Sequence, residues 1–183
     1  MELLEAELNQ IKYKKRYRRV LKSTLYTLIT VAAVVVLVAS LWMPVMRTYG
    51  SSMSPTLCNG EIVVSLKSGK PKRGDIVAFY YNNKVLVKRV IACPGEWVHI
   101  DEDGTVSVNG KKLVEPYVSE LSYGDADIEF PYQIPDGKYF VLGDQRATSA
   151  DSRHTAVGCV EEGQLAGRIF FRVWPMEQFG PID

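Results

Sequence analysis

The first 23 residues mix charged and apolar positions, the next 23 carry no charge, and the remainder breaks into short apolar runs separated by turn residues. The middle block, residues 24–46 (TLYTLITVAAVVVLVASLWMPVM), is rich in Val, Leu and Ala. As a helix it would extend about 34 Å, enough to cross a hydrocarbon core of about 30 Å. A cleaved signal peptide has an apolar region of only about 7 to 15 residues before its cleavage site, so the block reads as an uncleaved signal anchor. In lipid a lone segment satisfies its backbone groups only as a helix. Trp42 suits the far interface and Pro44 a helix end. The alternative, a core helix of a soluble protein, would need apolar surface on every side to be covered by residues 47–183 alone.

From residue 47 onward no amphipathic helix of three turns is evident, and the pattern predicts a mostly β domain. DIVAFYY and KVLVKRVI flank Asn82-Asn83, a pair tolerant of positive φ, and predict a hairpin. WVHID and TVSVNG flank a Glu-Asp-Gly turn, and Asn109-Gly110 closes another. Pro94-Gly95 and Pro135-Asp136-Gly137 punctuate further, before the strand KYFVLG, and GRIFFRVWP supplies a late aromatic strand. Residues 115–134 (EPYVSELSYGDADIEFPYQI) have the least pattern and predict a long surface excursion. The expected organisation is a basic N-terminus at 1–23, a transmembrane anchor at 24–46 and an outer domain at 47–183.

Composition changes the picture through charge. The net charge of +1 hides seven basic against three acidic residues before the apolar block, whereas residues 47–183 hold 15 basic and 18 acidic ones. A slightly acidic body is a poor nucleic-acid binder. The cluster KYKKRYRR therefore reads as a membrane flank. With Arg47 alone just after the block, the positive-inside rule places the N-terminus in the cytoplasm and residues 47–183 outside. Cys58, Cys93 and Cys159 have no metal-ligand spacing, and with only His99 and His154 beside them a zinc site is not expected. An odd cysteine count leaves at least one thiol unpaired unless chains are cross-linked.

Three stretches could carry chemistry. In Gly50-Ser51-Ser52-Met53-Ser54-Pro55-Thr56-Leu57 a serine between glycine and a proline turn can hold its hydroxyl and N–H towards one carbonyl, although a polar juxtamembrane linker has the same composition. In VLVKRVI, alternation places Lys88 beside Leu86 and Val90, and Arg89 beside Val87 and Ile91, so one cation must point at apolar surface. A lysine there loses solvation and can serve as a neutral base; two side chains snorkelling at a sheet edge would read the same. The polar run 143–153 (GDQRATSADSR) suits hydroxyls and an Asp/Arg pair that support such an amine, or a solvated turn.

Taken in order behind an anchor, the Ser-Met-x-Pro-Thr box, the Lys-Arg strand with Pro94-Gly95-Glu96, and the Gly-Asp…Ser-x-Asp-Ser-Arg box resemble the bacterial type I signal peptidases, in their short Gram-positive form. The resemblance implies coiled antiparallel sheets and a membrane-anchored serine endopeptidase with a Ser/Lys dyad. Ser52 would be the nucleophile and its N–H an oxyanion donor; Lys88 would be the general base. Ser149 would orient the Lys88 amine, Asp151 and Arg153 would fix its loop, and Gly50, Met53, Leu57, Leu86 and Val87 would line the pocket for a small residue, as in Ala-x-Ala substrates. Gly50 stands where some members have a serine that gives a second oxyanion donor, Ala92 and Glu96 replace a more usual Gly and Asp, and Gln145 replaces a usual Asn. His154 as base would apply only if it replaced a lysine, and Lys88 is present.

The implied partners are preprotein signal peptides and plasma-membrane lipid, with no nucleic acid, metal or other cofactor. Two readings stand beside general preprotein processing: a dedicated protease for pilus or surface-protein assembly, and a membrane-tethered β domain that binds peptides without cutting them. Trp42, Met43, Trp174, Phe170 and Phe171 are candidates for pressing the domain against lipid.

Overall fold

The computed structural model describes the backbone of residues 2–67 and 69–182 and, within them, the side chains from residue 13 onward. The chain forms two compact units, Met1–Leu41 and Trp42–Asp183. In the first, helix α1 (Glu2–Trp42) includes a stretch, Tyr13–Trp42, that is long and apolar enough to cross a membrane and is not buried within the protein. The expected anchor of residues 24–46 lies in this helix only as far as Trp42. Pro44 cannot continue it, and Val45 and Met46 instead enter strand β1.

The second unit is antiparallel β, as the sequence predicts. Its strands are β1 (Val45–Arg47), β2 (Ile62–Leu66), β3 (Ile76–Tyr81), β4 (Lys84–Ala92), β5 (Trp97–Ile100), β6 (Val106–Val108), β7 (Lys111–Lys112), β8 (Tyr132–Gln133), β9 (Lys138–Leu142), β10 (Val160–Glu161), β11 (Leu165–Trp174) and β12 (Gly180–Pro181). One sheet has the order β1-β2-β11-β3-β4-β9-β10, with β12 on β11, and the other β7-β6-β5-β8. The β3–β4 hairpin turns at Asn82 and Asn83, both at positive φ (43° and 60°), which short polar side chains tolerate.

Strand β4 positions the site. It pairs with β3 along its length, but with β9 only from Arg89 to Ala92, so its edge from Lys84 to Lys88 has a partner on one side alone. Among the described residues, strand β1 likewise pairs only with β2. Beneath this opening a core of Met53, Leu57, Val63, Ile76, Ala78, Ala166 and Ile169 fixes the floor. A second core of Ile91, Val98, Ile100, Phe140 and Leu142 joins the two sheets. Residues 115–134 are more than a surface excursion, because Tyr123, Ile128, Phe130 and Tyr132 pack on that second core.

Candidate active site

The turn that follows β1 is tied to itself by two backbone bonds, Ser54 N–H to Ser51 O (2.9 Å) and Leu57 N–H to Met53 O (2.8 Å). Met53 and Leu57 point into the core, which leaves the Ser52 side chain facing the opening. Lys88 reaches it from β4, with its Nζ donating to Ser52 Oγ at 2.7 Å. Both cations of the Lys-Arg pair are buried, Lys88 at 3% and Arg89 at 2% exposure. Alternation demands that they face opposite ways, and here β4 is covered on both faces.

The two buried cations are treated differently. Arg89 gives a bidentate pair to Asp144 (Nε to Oδ1 3.0 Å, a second nitrogen to Oδ2 2.9 Å) and donates to Gly74 O at 2.8 Å. Lys88 has no carboxylate within ion-pair distance among the described residues. Burial pushes its pKa down from 10.5 to about 8; Asp151 and Asp144 oppose this and Arg153 assists it. The result is an amine that gives up its proton more readily than an exposed lysine, in contact with a hydroxyl.

The loop after β9 is buried, so it is not a solvated turn. Asp144, Arg146, Ser149, Asp151, Ser152 and Arg153 are all at most 4% exposed. Asp151 and Arg153 form a bidentate pair at 2.8 and 2.9 Å, and Asp151 also accepts the Gly143 N–H at 3.1 Å. Ser149 Oγ makes no hydrogen bond among the described residues, to Lys88 or to any other group. It rests against Gly143, where a Cβ would collide with both Ser149 Oγ and the Ser52 carbonyl. The Ser52 carbonyl accepts from the Gln145 N–H at 3.1 Å, a backbone contact that is indifferent to glutamine or asparagine at that position.

A cavity of about 130 Å³ opens at the pair, lined by Ser52, Lys88, Gly50, Met53, Leu57, Leu86 and Val87 together with Arg47, Tyr49 and Val85. Every expected pocket residue is in this lining; Ser149, Asp151 and Arg153 are not. The Gly50 N–H is held by Asn59 Oδ1 at 3.1 Å. His99 lies half exposed beside Asp101 at 3.1 Å, away from this lining. Sequence reasoning missed the contribution of Thr56, whose hydroxyl donates to Asp144 at 2.5 Å while its carbonyl accepts from Arg172. The Arg172 side chain also lies 2.9 Å from Glu61, and no pattern in the late aromatic strand points to that reach.

The signal peptidase family, peptidase S26, matches residues 20–174, which include the turn, the β4 pair and the loop after β9. The chain belongs to this family. Signal peptidase IB of Staphylococcus aureus (strain COL) is 42% identical over 150 residues, covering 71% of this chain and 77% of that protein. Signal peptidase I of Bacillus licheniformis is 38% identical over 147 residues, covering 73% and 78%. A crystal structure of a signal peptidase I from Enterococcus faecalis matches with a TM-score of 0.46 at 34% identity, over 55% of this chain and 97% of that one. Membership in the S26 signal peptidases makes this chain a serine peptidase.

Proposed function

We propose that the protein cleaves signal peptides from exported preproteins, with Ser52 as nucleophile and Lys88 as general base. The observation that carries the reading is the 2.7 Å contact between Lys88 Nζ and Ser52 Oγ at the mouth of a small, mostly apolar cavity. Neutral Lys88 takes the Ser52 proton as Oγ attacks the carbonyl carbon of the scissile bond. The ammonium then protonates the leaving amine, the C–N bond breaks, and an acyl-Ser52 ester remains. Lys88 then deprotonates a water that attacks the ester; as the acyl C–O bond breaks, the Lys88 ammonium returns the proton to Ser52 Oγ and the carboxylic acid product leaves. The Ser52 N–H donates to no group of the chain among the described residues, which leaves it free for the oxyanion.

The lining of Met53, Leu57, Leu86 and Val87 suits a small side chain before the cut. An extended peptide laid between β1 and the free edge of β4 would find backbone partners on both sides. The basic segment before the apolar helix orients residues 1–23 to the cytoplasm and the peptidase domain to the outer face of the plasma membrane. There the anchor confines the site to the surface at which a preprotein's own apolar segment is held. The test is cleavage of a purified preprotein by the detergent-solubilised full-length chain. A product beginning just after a small residue, absent with Ser52→Ala, supports the reading; equal cleavage by both forms contradicts it.

A further inference from the structure

Residues 113–131 contain no regular element, yet they are bound to the loop of residues 143–155 at several points. The Glu115 carboxylate receives two nitrogens of Arg146, at 2.7 and 3.1 Å, with both side chains at most 4% exposed. Tyr117 donates its hydroxyl to Glu115 at 2.9 Å and lays its ring 3.9 Å from the Arg89 guanidinium. Burial, with Glu115 alongside, pushes the phenol upward, so the hydroxyl remains a donor. Arg153 donates to the carbonyls of Tyr123 (2.8 Å) and Ser122 (3.3 Å), and Asp127 accepts the N–H and hydroxyl of Thr155 at 2.6 and 2.9 Å. The strap is fitted closely: a Cβ at Gly124, which sits at φ +68°, would strike the Arg153 guanidinium.

Three buried arginines therefore divide their bonds between the strap and the site. Arg89 holds Asp144, Arg153 holds Asp151, and Arg146 finds its carboxylate in Glu115. Asp144, Asp151 and Arg153 are the charged groups that act on the Lys88 amine, with the Ser52 hydroxyl its direct contact. We propose that Glu115 and Tyr117 are positioning residues for proton transfer between Ser52 and Lys88, holding Arg89 so that Asp144 keeps its place, and holding Arg146, which binds the Gly143 carbonyl, so that the loop carrying Asp151 keeps its own. This rests on the assignment of Ser52 and Lys88 above. The ring of Tyr117 covers one face of the Arg89 guanidinium; opening that face admits water, screens the Arg89–Asp144 pair and weakens the hold of the Asp144 charge on the Lys88 proton. Lys88 would then release its proton at lower pH.

The experiment measures kcat, KM and the pH profile of preprotein cleavage by the full-length enzyme in detergent, with Tyr117→Leu, Tyr117→Phe, Glu115→Gln and, as a control on the exposed part of the strap, Glu120→Gln. Tyr117→Leu should lower kcat about tenfold or more with KM within about twofold, and should move the acidic limb to lower pH. Tyr117→Phe, which keeps the ring, should retain the wild-type limb, and Glu120→Gln should match wild type. If Tyr117→Leu does not fold, the volume-conserving Glu115→Gln carries the test through the same fall in kcat. Wild-type kcat and pH limb in folded Tyr117→Leu, an equal loss in Tyr117→Phe, or unchanged kcat in Glu115→Gln overturns the proposal. An active Lys88→Arg enzyme overturns the dyad itself, and that result is distinct from a strap variant that behaves as wild type while Lys88→Arg is dead.

Discussion

The Thr56 hydroxyl donates to the Asp144 carboxylate at 2.5 Å, joining the turn that carries Ser52 to the loop that carries Ser149. The same carboxylate holds Arg89, the neighbour of Lys88, so three separate segments meet on one buried anion. Removing it leaves a guanidinium buried without its counter-charge. Asp144→Ala should cost about 3–5 kcal/mol of stability and most of the activity, read from denaturant unfolding and preprotein cleavage. A loss below about 1 kcal/mol would mean that water or another group compensates Arg89.

The proposed role of Lys88 as base predicts the pH dependence. With its pKa lowered to about 8, cleavage should rise as pH passes through that value and the amine loses its proton. The stability consequence has the same sign. An amine whose folded pKa lies below its unfolded value of 10.5 carries its penalty in full below about pH 8, and the penalty is relieved as pH rises from there towards 10.5. Lys88→Met should therefore be inactive yet more stable than wild type at pH 7, by about 1–3 kcal/mol, and the difference should shrink in alkaline buffer. Equal stability at both pH values would show that the buried amine bears no such penalty.

Gly143 is needed for lack of a side chain, not for its backbone angle. Both Ser149 Oγ and the Ser52 carbonyl press into the space that a Cβ would fill. Gly143→Ala must push one of them aside and should lower kcat about a hundredfold, since displacements near 1 Å at a reacting group have effects of that order. Activity within about threefold of wild type would show that the loop gives way without disturbing Ser52.

Ser149 separates a supporting hydroxyl from a structural one. Its Oγ is buried without a hydrogen-bond partner among the described residues, so Ser149→Ala removes an unsatisfied group and should leave thermal stability unchanged or slightly raised. If the hydroxyl turns to Lys88 during catalysis, kcat should still fall about ten- to a hundredfold. A loss as complete as that of Ser52→Ala would give Ser149 a larger part than orientation.

Local signals in the sequence were sufficient for the β class and the hairpin at Asn82-Asn83, whereas the residues expected around the cavity came from the family resemblance. Turn chemistry and period-two alternation are properties of neighbours in the chain, and the three boxes each place their side chains within a few residues. The alternation rule also required one of Lys88 and Arg89 to face apolar surface, but it could not show that both are buried. That outcome depends on the loop after β9 meeting Arg89 through Asp144 and on the Ser52 turn meeting Lys88, contacts between distant segments. The helix end at Trp42 was displaced from the apolar boundary at Met46 because composition does not distinguish apolar helix from apolar strand. The strap at residues 115–127 was illegible for the same kind of reason: Glu115 meets Arg146 across 31 positions, and no period or turn signal encodes that pairing.

The most direct test of the Ser52–Lys88 assignment is kcat/KM for preprotein cleavage by Lys88→Arg beside wild type, both confirmed folded. Arginine keeps the charge but cannot give up its proton in this range. The dyad predicts a loss of at least about a thousandfold, with no recovery as pH is raised. Substantial cleavage by Lys88→Arg, with a pH profile like that of wild type, would contradict the account and move the base to another residue.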